Sequence, residues 1–176
     1  MTTKRIDIER FIVISPEPFE RVVVRLEGAV GHPDMRAFAG RVAASKTYAD
    51  LERVVNGVTG PSGFMEMARF DMGEVLRKAT GAGVPKIVRF LIGNPLIMKQ
   101  MVVHVPDAAS YAPVTVLVDQ RPDGVHLSYD TMASALAPYG SPEALKVARD
   151  LDAKVAALLA AAAAPSRVVA DPTIPR

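Results

Sequence analysis

Hydrophobic and polar positions change period several times along this chain, and each change marks an element. Ile6 and Ile8 alternate with polar residues and lead into the apolar run 11–14, which reads as a strand over 6–14 stopped by Ser15-Pro16. From Pro18 the apolar residues Phe19, Val22, Val23 and Leu26 recur at helical spacing, and Gly28, Gly31 and Pro33 end that helix. Two more short helices follow in residues 34–59. One carries Met35, Phe38, Ala39 and Val42 on a face; the other carries Tyr48, Leu51, Val54, Val55 and Val58. The segment 57–63, with Pro61 and Ser62, reads as a loop.

Residues 64–70 read as a strand, with Phe64, Glu66, Ala68 and Phe70 predicted on one face and Met65, Met67 and Arg69 on the other. A short helix over 73–80 is closed by Gly81 and Gly83. The stretch KIVRFLIGNPLIMKQM, residues 86–101, organises what surrounds it. Its apolar run 87–92 is a buried strand, Gly93 a turn, Asn94 an N-cap and Pro95 the first helical residue. Val114, Val116 and Val118 on one side and Thr115 and Leu117 on the other make a strand covered on both faces. Pro122-Asp123-Gly124 turns it back into a hairpin partner over 125–129. The last helix opens at Ser141-Pro142-Glu143 and buries Ala144, Ala148, Leu151, Val155 and Leu158. Residues 160–164 extend it by alanine propensity, Pro165 ends it, and 165–176 form a mobile tail.

Composition narrows the class. The chain has 176 residues, enough for one domain over 1–164 with a real core. Its apolar fraction is 49% and its mean hydropathy +0.18, which excludes wholesale disorder. The 21 basic and 19 acidic residues are interspersed, and no basic cluster is interleaved with aromatics, so no nucleic-acid partner is expected. There is no cysteine, hence no disulfide, thiolate nucleophile or Cys-ligated metal. Asp7, Glu9 and Arg10 interrupt the N-terminal apolar residues, unlike a signal peptide, and no apolar run reaches membrane-spanning length. The expectation is a soluble, cytoplasmic protein with no membrane partner.

Four groups of residues could carry chemistry. The turn Gly93-Asn94-Pro95 presents a helix N-terminus, whose amides and dipole suit an anion, with Lys99 nearby. The alternative is a plain cap in which Asn94 bonds its own backbone. Asp71 closes a strand and either caps the next helix or, if the strand order allows, shares a pocket with Asn94. The methionines Met65, Met67, Met72, Met98 and Met101 could suit a soft metal or haem, but methionine at strand and helix spacing is mostly core filling. His126, Ser128 and Asp130 share a strand face, but about 6.5–7 Å separates alternate residues, too far for a triad. His32 and His104 have no metal-ligand spacing to a second histidine.

The strand over residues 64–71, the Gly93-Asn94-Pro95 turn, Met98 and the strand 113–118 with its hairpin together resemble the bacterial family called domain of unknown function 302. The resemblance runs from about Gly63 to Tyr129, and residues 34–59 read as a helical insertion relative to shorter members. The family often has Ile-Asp-His where this chain has Phe70-Asp71-Met72, so no role of that histidine carries over. The resemblance implies an α+β fold: a mainly antiparallel sheet of about five strands with helices packed on it, somewhat like the TATA-binding-protein topology. It implies no activity.

The functional expectation is non-catalytic binding of a small ligand, an anion among the candidates. Gly93, Asn94, Pro95, Asp71 and Met98 are its contacts, with Phe70 and Val116 lining the rest. No catalytic residue, metal or cofactor is expected, and a homodimer is the expected assembly. The stripes of 34–59 would serve as a lid over the sheet or as an interface. Two other classes stay open: an enzyme using Asp71 or His126 as acid or base on a small carboxylate or phosphate, and a structural oligomerisation module.

Overall fold

The computed structural model describes residues 2–81 and 83–166, so most of the expected tail lies outside the described residues. Five strands make one antiparallel sheet: β1 (Arg10–Ser15), β2 (Met65–Asp71), β3 (Ile87–Gly93), β4 (Val114–Arg121) and β5 (Gly124–Asp130). Their spatial order is β1-β5-β4-β3-β2, which puts β4 in the middle and β1 and β2 at the edges. The helices are α1 (Phe19–Ala29), α2 (Met35–Ala44), α3 (Tyr48–Asn56), α4 (Met72–Thr80), α5 (Pro95–Val102), α6 (Met132–Leu136) and α7 (Pro142–Ala163). The fold is α+β, and none of the described helices is long and apolar enough to cross a membrane.

Alternation decides what the sheet buries. Phe90 and Ile92 of β3, Val114, Val116 and Val118 of β4, and Val125, Leu127 and Tyr129 of β5 all project into one core. Phe19, Val22 and Leu26 of α1 and Leu151, Val155 and Leu158 of α7 pack there too. Ser141 starts α7 by accepting the Ala144 amide at 3.2 Å, with Pro142 at the first helical position. The alanine extension of α7 is packed as well as propensity-driven. Ala162 and Ala163 are buried, and the Ala163 carbonyl accepts from Ser15 Oγ at 2.8 Å.

Two local readings of the sequence need correction. β1 starts at Arg10, not Ile6, because its only strand partner, β5, ends opposite at Asp130. Glu9 instead bonds Thr131 and Ser134. In β2 the pairing slips between Glu66 and Ala68, so Met67 is an extra residue in a bulge and the simple alternation fails there. The apolar stripes of residues 34–59 find cover within the chain, against the β2 edge of the sheet. α2 and α3 bury Phe38, Val55 and Met65 in a small second core, with Leu51, Val58, Met67 and Leu96 packed against it. Asp34 caps α2, and Thr47 with Asp50 makes a capping box on α3.

The second face of the sheet is different. A row runs across all five strands: Ile12 on β1, Ser128 on β5, Leu117 on β4, Arg89 on β3 and Phe70 on β2, each opposite the next. None of the apolar members of this row belongs to either core.

Candidate functional site

β3 ends at Gly93 and α5 begins at Pro95, so the chain reverses through Asn94 at one end of the sheet. The Asn94 side chain is committed in both directions. Its Oδ1 accepts the Leu96 amide at 2.8 Å, and its Nδ2 donates to the Gly63 carbonyl at 2.9 Å. The Ile97 and Met98 amides donate to the Asn94 carbonyl at 3.1 and 3.0 Å. The first donors of α5 are therefore occupied, and the anion reading of this turn loses its physical basis. Lys99 points its ammonium over the Tyr48 ring, 4.5 Å from the centroid, and so joins α5 to α3.

What the turn does build is an apolar cavity of about 140 Å³. Gly93, Asn94 and Pro95 form one side, and Ile97, Met98 and Met101 of α5 another. Met67 enters from the β2 bulge, Leu151 from α7, and Ala112, Pro113 and Val114 from the segment entering β4. No lining residue is charged. The missing side chain of Gly93 matters here: a Cβ at that position would meet Met67 Cε and Pro113 Cβ at 3.4 Å. That is ordinary contact, so a methyl group would fill space there without a clash. Met67 belongs both to this wall and to the second core, so α2 and α3 brace the cavity from behind.

Four of the five residues singled out from the sequence, Gly93, Asn94, Pro95 and Met98, meet at this cavity. Asp71 does not. It sits at the other end of β2, opposite Val88, and its Oδ1 accepts the Glu74 amide at 2.8 Å to cap α4. That amide bond, with Arg77 on Oδ2, holds its carboxyl below the usual range. Phe70 faces away on the second face of the sheet, and Val116 lies in the main core. Met101, Leu151, Ala112 and Pro113 come to the cavity from elements whose mutual placement no local pattern encodes. Met67 arrives only because of the bulge.

The remaining candidates have other roles. His126 is buried, and its Nε2 lies 2.9 Å from Asp123 Oδ1, while Nδ1 has no hydrogen-bond partner. Asp130 is held by Arg10 through contacts of 2.5 and 2.8 Å. No hydrogen bond links His126, Ser128 and Asp130 into a triad. Among the described residues no three His, Asp or Glu side chains converge on a metal-sized site.

A family profile, Domain of unknown function DUF302, matches residues 40–162, well over half of the chain. The match starts inside α2 and includes α3. The fold is similar to that of a crystal structure of an uncharacterized conserved protein DUF302 from Bacillus stearothermophilus. The TM-score is 0.60 at 14% identity, over 85% of this chain and 94% of that one. At that identity the likeness speaks for the fold alone. No curated protein matches the chain.

Proposed function

The chain belongs to the Domain of unknown function DUF302 family, and we propose that it is a non-catalytic binder of a small, uncharged, largely apolar molecule. The observation that carries this is the cavity of about 140 Å³, which has apolar walls and whose one amide side chain, Asn94, is already spent on Leu96 and Gly63. An apolar cavity of roughly 150 Å³ is large enough to stay dry and take up a benzene-sized guest. Gly93, Pro95, Met98 and Met101 are the contacts, and the thioethers of Met67, Met98 and Met101 give a wall that adapts to the guest's shape. An enzyme built on Asp71 or His126 has less support. Asp71 is a helix cap remote from the cavity, and His126 is buried on the second face of the sheet.

The test is a chemical-shift titration with two probes of matched shape, benzene and benzoate. Benzene should shift the amides of 93–101 and of Leu151, and benzoate should bind more weakly or not at all. Gly93→Ala, which fills the cavity without strain, should fold normally and lose the benzene response. Benzoate binding tighter than benzene, or benzene shifts mapping elsewhere, would overturn the reading.

A further inference from the structure

We infer that His32 and Glu66 share one proton, and that this pair is a pH-sensitive latch on the joint that positions Met67 in the cavity wall. The joint is built from backbone. The Gly31 amide donates to the Phe64 carbonyl at 2.9 Å, and the Glu66 amide donates to the Gly31 carbonyl at 2.8 Å. The loop after α3 closes on the same place: the Gly60 amide reaches the Phe64 carbonyl at 2.8 Å and the Ser62 amide the Ala29 carbonyl at 3.0 Å. Gly31 is required here, because a Cβ would run into the Val58 carbonyl oxygen. Both ends of the α2–α3 segment therefore pass through this joint before the chain enters β2.

The side chains across the joint pose a hydrogen-bonding problem. His32 Nε2 lies 2.9 Å from the Glu27 carbonyl oxygen, which only accepts, so Nε2 carries a hydrogen. In a neutral ring Nδ1 is then a bare acceptor. It faces Glu66 Oε2 at 3.6 Å, and that oxygen is shielded from solvent with no hydrogen-bond partner among the described residues. Two acceptors set against each other repel. One proton between them, on either atom, makes them donor and acceptor, and a short approach completes a charge-assisted or neutral hydrogen bond.

The neighbouring charges favour one proton over none or two. Arg69 of β2 pairs with Glu27 of α1, and its Nε lies 3.5 Å from Glu66 Oε1. Asp34, at the start of α2, is spent on the Ala37 amide at 2.7 Å, and the loop over 58–63 has no titratable side chain. Arg69 and Glu27 cancel, so the cluster is neutral with one proton on the pair and charged otherwise. Burial raises the proton affinity of Glu66 in the same sense. At this separation the proton belongs to the pair rather than to either residue.

Met67 is the next residue along β2 and the extra residue of the bulge. Its Cε sits 3.4 Å from where a Cβ on Gly93 would lie. As pH rises and the pair loses its proton, the opposed acceptors loosen the joint and release the bulge. The consequence for a guest rests on the binding reading above; the latch itself does not.

The test follows the protein by NMR without added guest, from about pH 5 to 9. The Met67 methyl should move in a single step. Protection of the Gly31 and Glu66 amides should fall with it by about tenfold on the alkaline side, after correction for base-catalysed exchange. Glu66→Gln sets a permanent N–H donor opposite Nδ1, so Met67 should stay at its low-pH position throughout. His32→Ala, at a half-exposed position, should fold normally and abolish the step. An unmoved Met67 methyl in the wild type, a step that survives in either variant, or a neutral His32 ring carrying its hydrogen on Nδ1 would each overturn the latch. A Met67 step seen in a protein that does not respond to benzene would support the latch and overturn the binding reading alone.

Discussion

The Tyr129 hydroxyl donates to Asp152 Oδ1 at 2.7 Å, and the same carboxylate accepts the amides of Met132 at 2.8 Å and Ala133 at 2.9 Å. α6 therefore starts on a cap supplied from α7, while its own N-cap residue, Thr131, makes no side-chain cap bond. Burial, and after it the Asp152 bond, pushes the Tyr129 hydroxyl far above its ordinary pKa, so it remains a donor at any working pH. Asp152→Ala should cost about 1.5–3 kcal/mol, the range for hydrogen bonds to a charged acceptor, and Asp152→Asn less. Urea unfolding measures both. A loss below about 0.5 kcal/mol for alanine would mean this junction is not stabilising.

Asn94 ties two loops as well as capping α5. Asn94→Ala removes both bonds and should cost about 1–2 kcal/mol. Asn94→Asp keeps a good cap but places a carboxylate against the Gly63 carbonyl, so its loss isolates the Gly63 tie. Thermal melts of the two variants separate the contributions. An aspartate variant as stable as wild type would show that the Gly63 bond contributes nothing.

Much of this architecture was legible because five segments alternate or run apolar at strand length and the caps at Asn94 and Ser141 are local signals. What escaped was set by distant partners. α6 has no start signal of its own because Asp152 caps it across 20 residues. The start of β1 is fixed by where β5 stops at Asp130. The Met67 bulge puts Ala68 and Phe70 beside Leu91 and Arg89, and no periodicity reports an inserted residue. The turn residues of the site were readable, whereas Leu151 and Pro113 reach the cavity only through the packing of α7 and the entry to β4.

Two carboxyls should pull the pH dependence of stability in opposite directions. Burial raises the Glu66 carboxyl above its ordinary value, only partly offset by His32, which lies 3.6 Å away. The folded state then holds that proton more tightly than the unfolded one, so Glu66 lowers stability as pH rises through this range. Asp71 is depressed, chiefly by the Glu74 amide, so its contribution is complete above the unfolded value near 4 and is lost as pH falls through the folded one. Glu66→Gln should flatten the fall in unfolding midpoint as pH rises above the ordinary glutamate range, and Asp71→Asn should lower stability at neutral pH with the deficit closing in acid. Parallel pH curves for wild type and both variants would contradict these assignments.

Leu151 links stability to capacity. It is buried in the main core and also forms part of the cavity wall. Leu151→Ala removes apolar contacts and leaves a void, so it should destabilise by about 2–5 kcal/mol, whereas Lys154→Ala, one turn on and exposed, should change little. If α7 holds its place, the void joins the existing space of about 140 Å³ and the site should admit a two-ring guest such as naphthalene. Naphthalene should then raise the melting temperature of Leu151→Ala more than that of the wild type, because ligand binding to the folded state adds stability by mass action. A large loss of stability with no naphthalene response would mean that α7 collapses into the void, and the cavity wall would then be compliant where the proposed binding role needs it rigid.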